Sequence, residues 1–396
     1  MSDAPDRAGA GGTTALTAAV CTHGRPEGML RRALRSLTAQ RPPVAEILVV
    51  DNAPADDRAR RLLGAEFPNV RYLVEPVPGL DFARNRALRA AAQEVVAFLD
   101  DDAVADSGWA AAIRRAFDAD ERVGVCTGRV EALTLESEGQ RLFEANGGFS
   151  RGLARIRLPD DARRPDARLH GRPAPLIAWA VSVGSGCSFA VRRPAALAVG
   201  GFDEALDLGA VLPGGGDHDM LWRVLGAGHA VVYEPGALAW HEHRREAGAV
   251  HEQLVGHQRA LVAFLVKAAL QSRGRTRREV AAFLAWRLAK PGARLVQRAL
   301  GRDPLPAAVL ARMWAHCWRG LVAYPAAQRV ARERVAGAPR DGTPRDGAPR
   351  NGAPRDGAPA DGPRLNGARS DGTRGDGATR RAAEPAVRPA PARESR

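Results

Sequence analysis

Four short apolar runs, Leu16–Thr22, Glu46–Asn52, Val70–Glu75 and Glu94–Asp102, begin 30, 24 and 24 residues apart. Each interval has room for one helical crossover, and the stretches between are helical in pattern. Pro26–Gln40 carries Met29, Leu30, Ala33, Leu34 and Leu37 on one stripe, and Ala55–Phe67 and Leu80–Ala92 follow. The expected class is therefore α/β, a mainly parallel sheet covered by helices. Unbroken runs such as Ile47-Leu48-Val49-Val50 suit strands buried on both faces. Ligands of such sheets bind at the carboxyl ends of the strands. Polar residues stand there: Thr22 and His23, Asp51 and Asn52, Glu75, and Asp100–Asp102.

Further along, strands are expected at Val123–Val130, Ser185–Val191 and Ala230–Trp240, and helices at Arg192–Val199 and Asp217–Gly226. Glu136–Pro175 is long, polar and rich in Gly and Pro, and reads as an acceptor-side loop region. Leu254–Gln271, Arg275–Ala289 and Pro306–Arg334 carry apolar stripes among arginines. Beyond Ala336 a degenerate five-residue repeat, Gly-Ala-Pro-Arg-Asp and its variants, has too few large apolar side chains to offset its ordering entropy. The expected organisation is a disordered 1–14, a domain over 15–245 with halves 15–122 and 123–245, a basic helical region 246–335, and a disordered tail 336–396.

The net charge of +13 on 396 residues suggests nucleic acid until it is located. Residues 246–335 hold +11 and 336–396 hold +4, leaving 1–245 at −2. The half that carries the polar rim is near neutral, which argues against a nucleic-acid partner. Cys21, Cys126, Cys187 and Cys317 are far apart and form no Cys-x-x-Cys pair, as expected of reduced thiols in a cytoplasmic protein. No apolar signal core or membrane-length apolar run is present. Trp286, Trp314, Trp318 and Tyr324 lie among arginines. That pattern suits either peripheral contact with the inner face of a membrane or packing onto the rest of the chain.

Three adjacent carboxylates, Asp100-Asp101-Asp102, follow an apolar strand. Their mutual repulsion is tolerable beside a cation or strong donors, and at a strand end they suit a hard divalent ion that also grips phosphate oxygens. Gly214-Gly215-Gly216-Asp217 opens a helical stretch. The glycines allow close approach, so Asp217 is either a helix cap or a reachable general base. His241 and His243, two apart, fall on one side of a continuing strand, and His241 is a candidate metal ligand. The loop Cys21–Pro26 has no G-x-G-x-x-G, and no Walker sequence occurs, so nicotinamide chemistry and P-loop hydrolysis lack support.

Taken in order, these pieces resemble the family 2 glycosyltransferases of the GT-A fold over roughly Leu16–Arg245. The resemblance rests on Val20-Cys21-Thr22-x-x-Arg25-Pro26, Glu46–Asn52, Pro78–Asn85, Phe98–Asp102, Gly200–Glu204, Gly214–Asp219 and Tyr233-Glu234-Pro235 with His241. It implies a nucleotide-diphospho-sugar donor held by Thr22, Arg25, Asp51, Asp81, Arg84, Asp100 and Asp101. It also implies Mg²⁺ or Mn²⁺ on Asp102 and His241, and Asp217 as catalytic base in an inverting displacement. The acceptor would be a glycan, a lipid-linked molecule or a small molecule. Two departures stand out. Gly216 replaces the Glu that commonly precedes the base, and His23-Gly24 replaces an aromatic or Asn. A sugar nucleotidyltransferase would need a Gly-rich cationic loop where Cys21–Gly28 offers only Arg25. A silent glycan-binding relative is the rival that Gly216 keeps open.

Overall fold

The computed structural model describes residues 14–338, and the expected crossovers are all made. β1 (Thr14–Thr22), α1 (Glu27–Thr38), β2 (Val44–Asn52), α2 (Arg58–Glu66), β3 (Arg71–Glu75), α3 (Leu80–Ala90) and β4 (Val95–Leu99) alternate along the chain. Leu30, Ala33, Leu34 and Leu37 of α1 are buried together at helical spacing, each leucine contributing roughly 1.5–3 kcal/mol of apolar transfer. β1 pairs in parallel with β2 and β4, and β2 with β3, which sets Thr22 beside Asp51 and Asn52 beside Glu75.

The second half comprises β5 (Ala103–Ala105), α4 (Trp109–Asp118), β6 (Val123–Ala132), α5 (Glu138–Ala145), β7 (Ile156–Leu158), α6 (Asp160–Arg163), α7 (Leu176–Val183), β8 (Ser188–Arg192), α8 (Arg193–Ala198), α9 (Gly216–Gly226) and β9 (Ala230–His241). The sheet order is β3-β2-β1-β4-β8-β6-β9-β5, with β7 on β9. β8 runs antiparallel to β4 and β6, β6 and β9 are parallel, and β5 and β7 run against β9. Two of these pairings build the site. β8 against β4 sets Ser188 opposite Leu99, so Asp100 N–H donates to the Cys187 carbonyl at 3.2 Å. β5 against β9 sets Ala103 opposite His241, and Glu242 N–H donates to the Asp102 carbonyl at 2.9 Å.

Both faces of the sheet are covered, as the apolar runs require. Leu16, Ala18, Val20 and Val49 pack with α1 and α4 on one side. Ala19, Leu48, Val50 and Phe98 pack with α3 and α9 on the other. α10 (Ala247–Gln271), α11 (Gly274–Ala299) and α12 (Ala307–Ala336) follow. Ala260, Ala263, Ala327 and Ala331 of α10 and α12 close over Val77, Phe82, Leu206, Leu208 and Leu212. Lys267 of α10 reaches Asp203 at 2.5 Å and Asp219 at 2.6 Å. The hydroxyl of Tyr324 donates to Asp203 at 2.5 Å.

Several local expectations change. Glu136–Pro175 is not all loop: α5 starts on a Ser137/Gln140 capping box, and β7 adds a short edge to β9. The run expected as one strand to Asp102 ends at Leu99, because the acidic triplet turns the chain before β5 joins β9 instead. α7 was concealed in an uncharged stretch without periodicity. α11 passes through Pro291, where a stop at Ala289 is expected; burial of Pro291 and packing of Gly292 on Trp314 outweigh the lost helix hydrogen bond. The disorder expected of 1–14 and 336–396 falls almost wholly outside the described residues. Of those two stretches only Thr14 and Ala336–Ala338 are described; Thr14 opens β1 and Ala336 ends α12.

Candidate active site

The end of β1 and the loop after it meet the acidic triplet directly. The Thr22 hydroxyl donates to Asp101 Oδ2 at 2.7 Å. The Arg25 guanidinium lies 3.3 Å from Asp101 and 3.0 Å from Asp102. Asp51 accepts from the Tyr72 hydroxyl at 2.9 Å, and Thr22, Arg25 and Asp51 line one cavity with Asp56 and Arg58. Burial pushes the Asp51 carboxyl up, with the Tyr72 hydrogen bond opposing. Asp101 is pushed up to about 7, chiefly by burial and by its acidic neighbours, against Arg25 and Thr22.

His241 comes to the triplet from the end of β9, its Nε2 3.2 Å from Asp102 Oδ1. Burial disfavours the imidazolium, but the Asp102 hydrogen bond and charge prevail and raise it. Asp102 is held low: burial opposes, and His241 and Arg25 outweigh it. Asp100 goes the other way, raised by burial and by the Asp102 charge. Ligand atoms of Asp100, Cys187 and His241 all lie within 4.8 Å of one another. That group has one carboxylate and one imidazole suited to Mn²⁺ or Mg²⁺; Asp102 adjoins it through His241, and its repulsion of Asp100 is what a cation there would relieve. Burial keeps the Cys187 thiol well above its ordinary range, so it stands by in its protonated form. His241 is oriented from behind. Its Nδ1 is 3.0 Å from His243 Nδ1, and His243 Nε2 is 2.8 Å from Glu144 Oε1. With Nε2 facing the carboxylates, that chain sets which nitrogen carries the proton.

Asp217 sits in the first turn of α9, behind Gly215 in a left-handed conformation at φ 104°. Its Oδ1 accepts from His218 N–H and lies 2.8 Å from His218 Nδ1. Burial would raise Asp217, yet the His218 charge and hydrogen bonds, with Arg84, hold it well below the usual carboxylate range. His218 is raised in turn: burial opposes, and Asp217 wins. Nearby His257 of α10 is pushed down to about 4, mainly by burial, and stays neutral.

Arg84 joins the two acidic groups. It is buried on α3, 3.0 Å from Asp81 Oδ1 and 3.5 Å from Asp207 Oδ2, with its guanidinium over the Phe202 ring. Burial works against its cation, but Asp81, Asp207, Asp217 and Asp100 together stabilise it. A Cβ at Gly186 would fall 2.8 Å from Arg84 Nη2 and 3.3 Å from Asp217 Oδ2, so this glycine lets the turn before β8 approach both. Arg84 thus lies close to Asp217 across Gly186 and also feels the Asp100 charge.

Thr22, Arg25, Asp100, Asp101, Asp102 and His241 form one connected group, with Asp51 lining the same cavity as Thr22 and Arg25, while Asp81, Arg84 and Asp217 meet around Gly186 and Gly216. Asp81 is the most enclosed: it is fully buried and reaches the site through Arg84. Sequence reasoning missed His218, Cys187, His243 and Asp207. His243 was visible as the partner of His241; Asp207 gave no signal, since it lies in an unpatterned turn.

Residues 17–196 match the family described as Glycosyl transferase family 2. Over 224 residues the chain is 31% identical to the pre-mycofactocin glycosyltransferase of Mycobacterium tuberculosis, in strain CDC 1551 / Oshkosh and in strain H37Rv alike. The aligned part is 55% of this chain and 40% of that relative, so the chain spans well under half the length of the curated proteins it matches. Among solved structures, the mannosyltransferase PcManGT from Pyrobaculum calidifontis, in complex with GDP-Man and Mn²⁺, is similar at a TM-score of 0.48 and 19% identity, over 79% of this chain and 86% of that one. GalNAc-T7 with UDP, GalNAc and Mn²⁺ is similar at 0.44 and 15%, over 65% and 51%.

Proposed function

Because the chain belongs to the family 2 glycosyltransferases through residues 17–196, we propose that it moves a sugar from a nucleotide-diphospho-sugar to an acceptor hydroxyl by inverting displacement. The observation that supports this reading is Arg84: a Cβ at Gly186 would lie 2.8 Å from its Nη2 and 3.3 Å from Asp217 Oδ2, and the Asp100 charge also favours its cation. In this reading a proton acceptor and a cation-binding cluster serve one crevice.

In this reading Thr22, Arg25 and Asp51 hold base and ribose at the ends of β1 and β2. Asp100, Asp102 and His241 would hold Mg²⁺ or Mn²⁺, which supplies positive charge against the departing diphosphate. Arg25 and Arg84 add fixed positive charge on either side of the diphosphate. Asp217, ionised at any working pH, receives the proton of the acceptor hydroxyl as that oxygen attacks the anomeric carbon opposite the leaving group. His218 fixes the carboxylate's orientation. A base held this low takes the proton late, when the attacking oxygen already carries positive charge in an oxocarbenium-like transition state. The acceptor is a glycan, a lipid-linked molecule or a small molecule with a free hydroxyl.

Calorimetry of UDP and GDP with and without Mn²⁺ tests the cluster. Wild type should bind one of them far more tightly with the metal, and Asp102→Ala should lose that difference. Equal, metal-independent binding by both proteins would end the metal role.

For the basic helices we infer peripheral contact with an anionic bilayer at the cytoplasmic face. Trp286 (49% exposed) and Trp318 (53%) stand out from α11 and α12, and Lys290 and Arg287 flank the Trp286 ring. Tyr324 does not join them, since it packs on Asp203. No helix among the described residues is long and apolar enough to cross a membrane. Co-sedimentation with anionic liposomes should fall as salt rises; no sedimentation at low salt would remove the contact.

A further inference from the structure

The turn before α9 carries a carboxylate that the reading above leaves unused. Asp207 has φ 50°, the left-handed region that side chains other than Gly, Asn and Asp avoid. Here Oδ2 of Asp207 accepts Gly216 N–H at 2.8 Å and lies 3.5 Å from Arg84 Nη1. Among the described residues Oδ1 accepts no hydrogen bond.

Gly216 explains why the carboxylate arrives from this direction. A Cβ at 216 would lie 1.9 Å from Asp81 Oδ2 and 2.6 Å from Asp207 Oδ2. The space that a side chain on α9 would fill is taken by two carboxylates from elsewhere. Asp81 is fully buried, and its Oδ2 has no hydrogen-bond partner among the described residues. Asp81, Asp207 and Asp217 share the side chains of Arg84 and His218 and the backbone N–H groups of Gly216 and His218, which leaves Asp81 Oδ2 and Asp207 Oδ1 without a donor among the described residues. What the pocket lacks is a neutral hydrogen-bond donor, and the hydroxyls of a sugar are that.

Resting on the transferase reading, we propose that Asp207, backed by Asp81, binds a hydroxyl of the donor's transferred sugar, beside Asp217. The carboxylate is supplied by the turn before α9 because Gly216 and the Asp81 side chain bar it from the helix itself. Asp207 then sets which sugars are accepted and leaves nucleotide binding to the strand ends.

The experiment compares UDP and GDP with UDP-glucose, UDP-galactose and GDP-mannose, each with Mn²⁺, by calorimetry and by release of nucleoside diphosphate. Asp207→Gly suits the positive φ and should fold, which its melting temperature checks. For the sugar that wild type prefers, Asp207→Gly should lower affinity or kcat/KM about 10–100-fold, the size of a lost charged hydrogen bond. Its affinity for the nucleoside diphosphate should stay within about twofold of wild type. Equal losses for nucleotide and nucleotide-sugar would overturn the proposal and make Asp207 a support for Arg84 on the diphosphate. No loss for either would overturn it as well. If wild type neither gains affinity from any sugar nor turns one over, the transferase reading itself fails. A second test moves the carboxylate: Gly216→Glu alone should inactivate, whereas Gly216→Glu with Asp81→Ala and Asp207→Gly should recover sugar-dependent affinity over the Asp81→Ala, Asp207→Gly background. Folded protein without that recovery counts against the inference.

Discussion

Replacing Lys267 by Met removes a cation from between the buried carboxylate of Asp219 and the partly buried one of Asp203, while keeping most of the side chain's length and volume. In the native protein its Nζ lies 2.5 Å from Asp203 and 2.6 Å from Asp219, with the Tyr324 ring 5.6 Å away. Breaking a buried pair at one partner typically costs about 3–5 kcal/mol, because a charge is left uncompensated. Asp219 keeps Arg223 at 2.7 Å and Asp203 keeps the Tyr324 hydroxyl, so the low end, about 3 kcal/mol, is expected. That corresponds to a fall in Tm of about 5–10 °C. Denaturant unfolding of wild type, Lys267→Met, Asp219→Asn and the double variant measures the coupling directly. Burial raises Asp203 and Lys267 lowers it further than that, below its ordinary 3.8. Its contribution is therefore present above about pH 4 and lost as pH falls through the depressed folded value. The gap between wild type and Lys267→Met should accordingly narrow under acid. A loss below about 1 kcal/mol with no measurable coupling would refute the assignment of this network as the clasp between α10 and the turn leading to Asp217.

Other outcomes follow from the same geometry. His243→Phe keeps the packing against Phe143 and Phe149 but frees His241 Nδ1; Mn²⁺ affinity should drop about 10–100-fold, and unchanged affinity by metal titration would contradict the orienting chain. His218→Gln bears on pH. The raised His218 contributes stability that is complete below its ordinary 6.5 and lost as pH rises through the higher folded value. The alkaline decline in wild-type Tm between pH 6 and 9 should flatten in that variant, and parallel slopes would dismiss the Asp217–His218 pair.

Much of this arrangement is legible in the chain itself. Unbroken apolar runs locate β1 to β4 and a 3.6 period locates α1 to α3, since both are set locally by which faces must be buried. Once the strands are placed, their ends carry Thr22, Asp51 and Asp100–Asp102 to one rim without further information. The rest depends on contacts between distant segments. Cys187 reaches Asp100 only because β8 runs against β4, and His241 reaches Asp102 only because β5 leaves the first strand group for β9. Gly216 reads as a missing carboxylate, and only the packing of α3 against the turn before α9 reveals Asp81 and Asp207 in its place. Asp207 follows no periodicity, and its conformation is fixed by what surrounds it. Pro291 misled for a related reason, as tertiary burial overrode a local helix-breaking preference.

The most direct test is release of nucleoside diphosphate from UDP-, GDP- and dTDP-sugars, with Mn²⁺ and with chelator, by wild type and Asp217→Asn. Metal-dependent release by wild type is expected, reduced about 10²–10⁴-fold in Asp217→Asn with nucleoside diphosphate affinity near normal. Turnover that survives chelation, or an Asp217→Asn enzyme as fast as wild type, would contradict a crevice in which a bound cation and this carboxylate act on the same sugar.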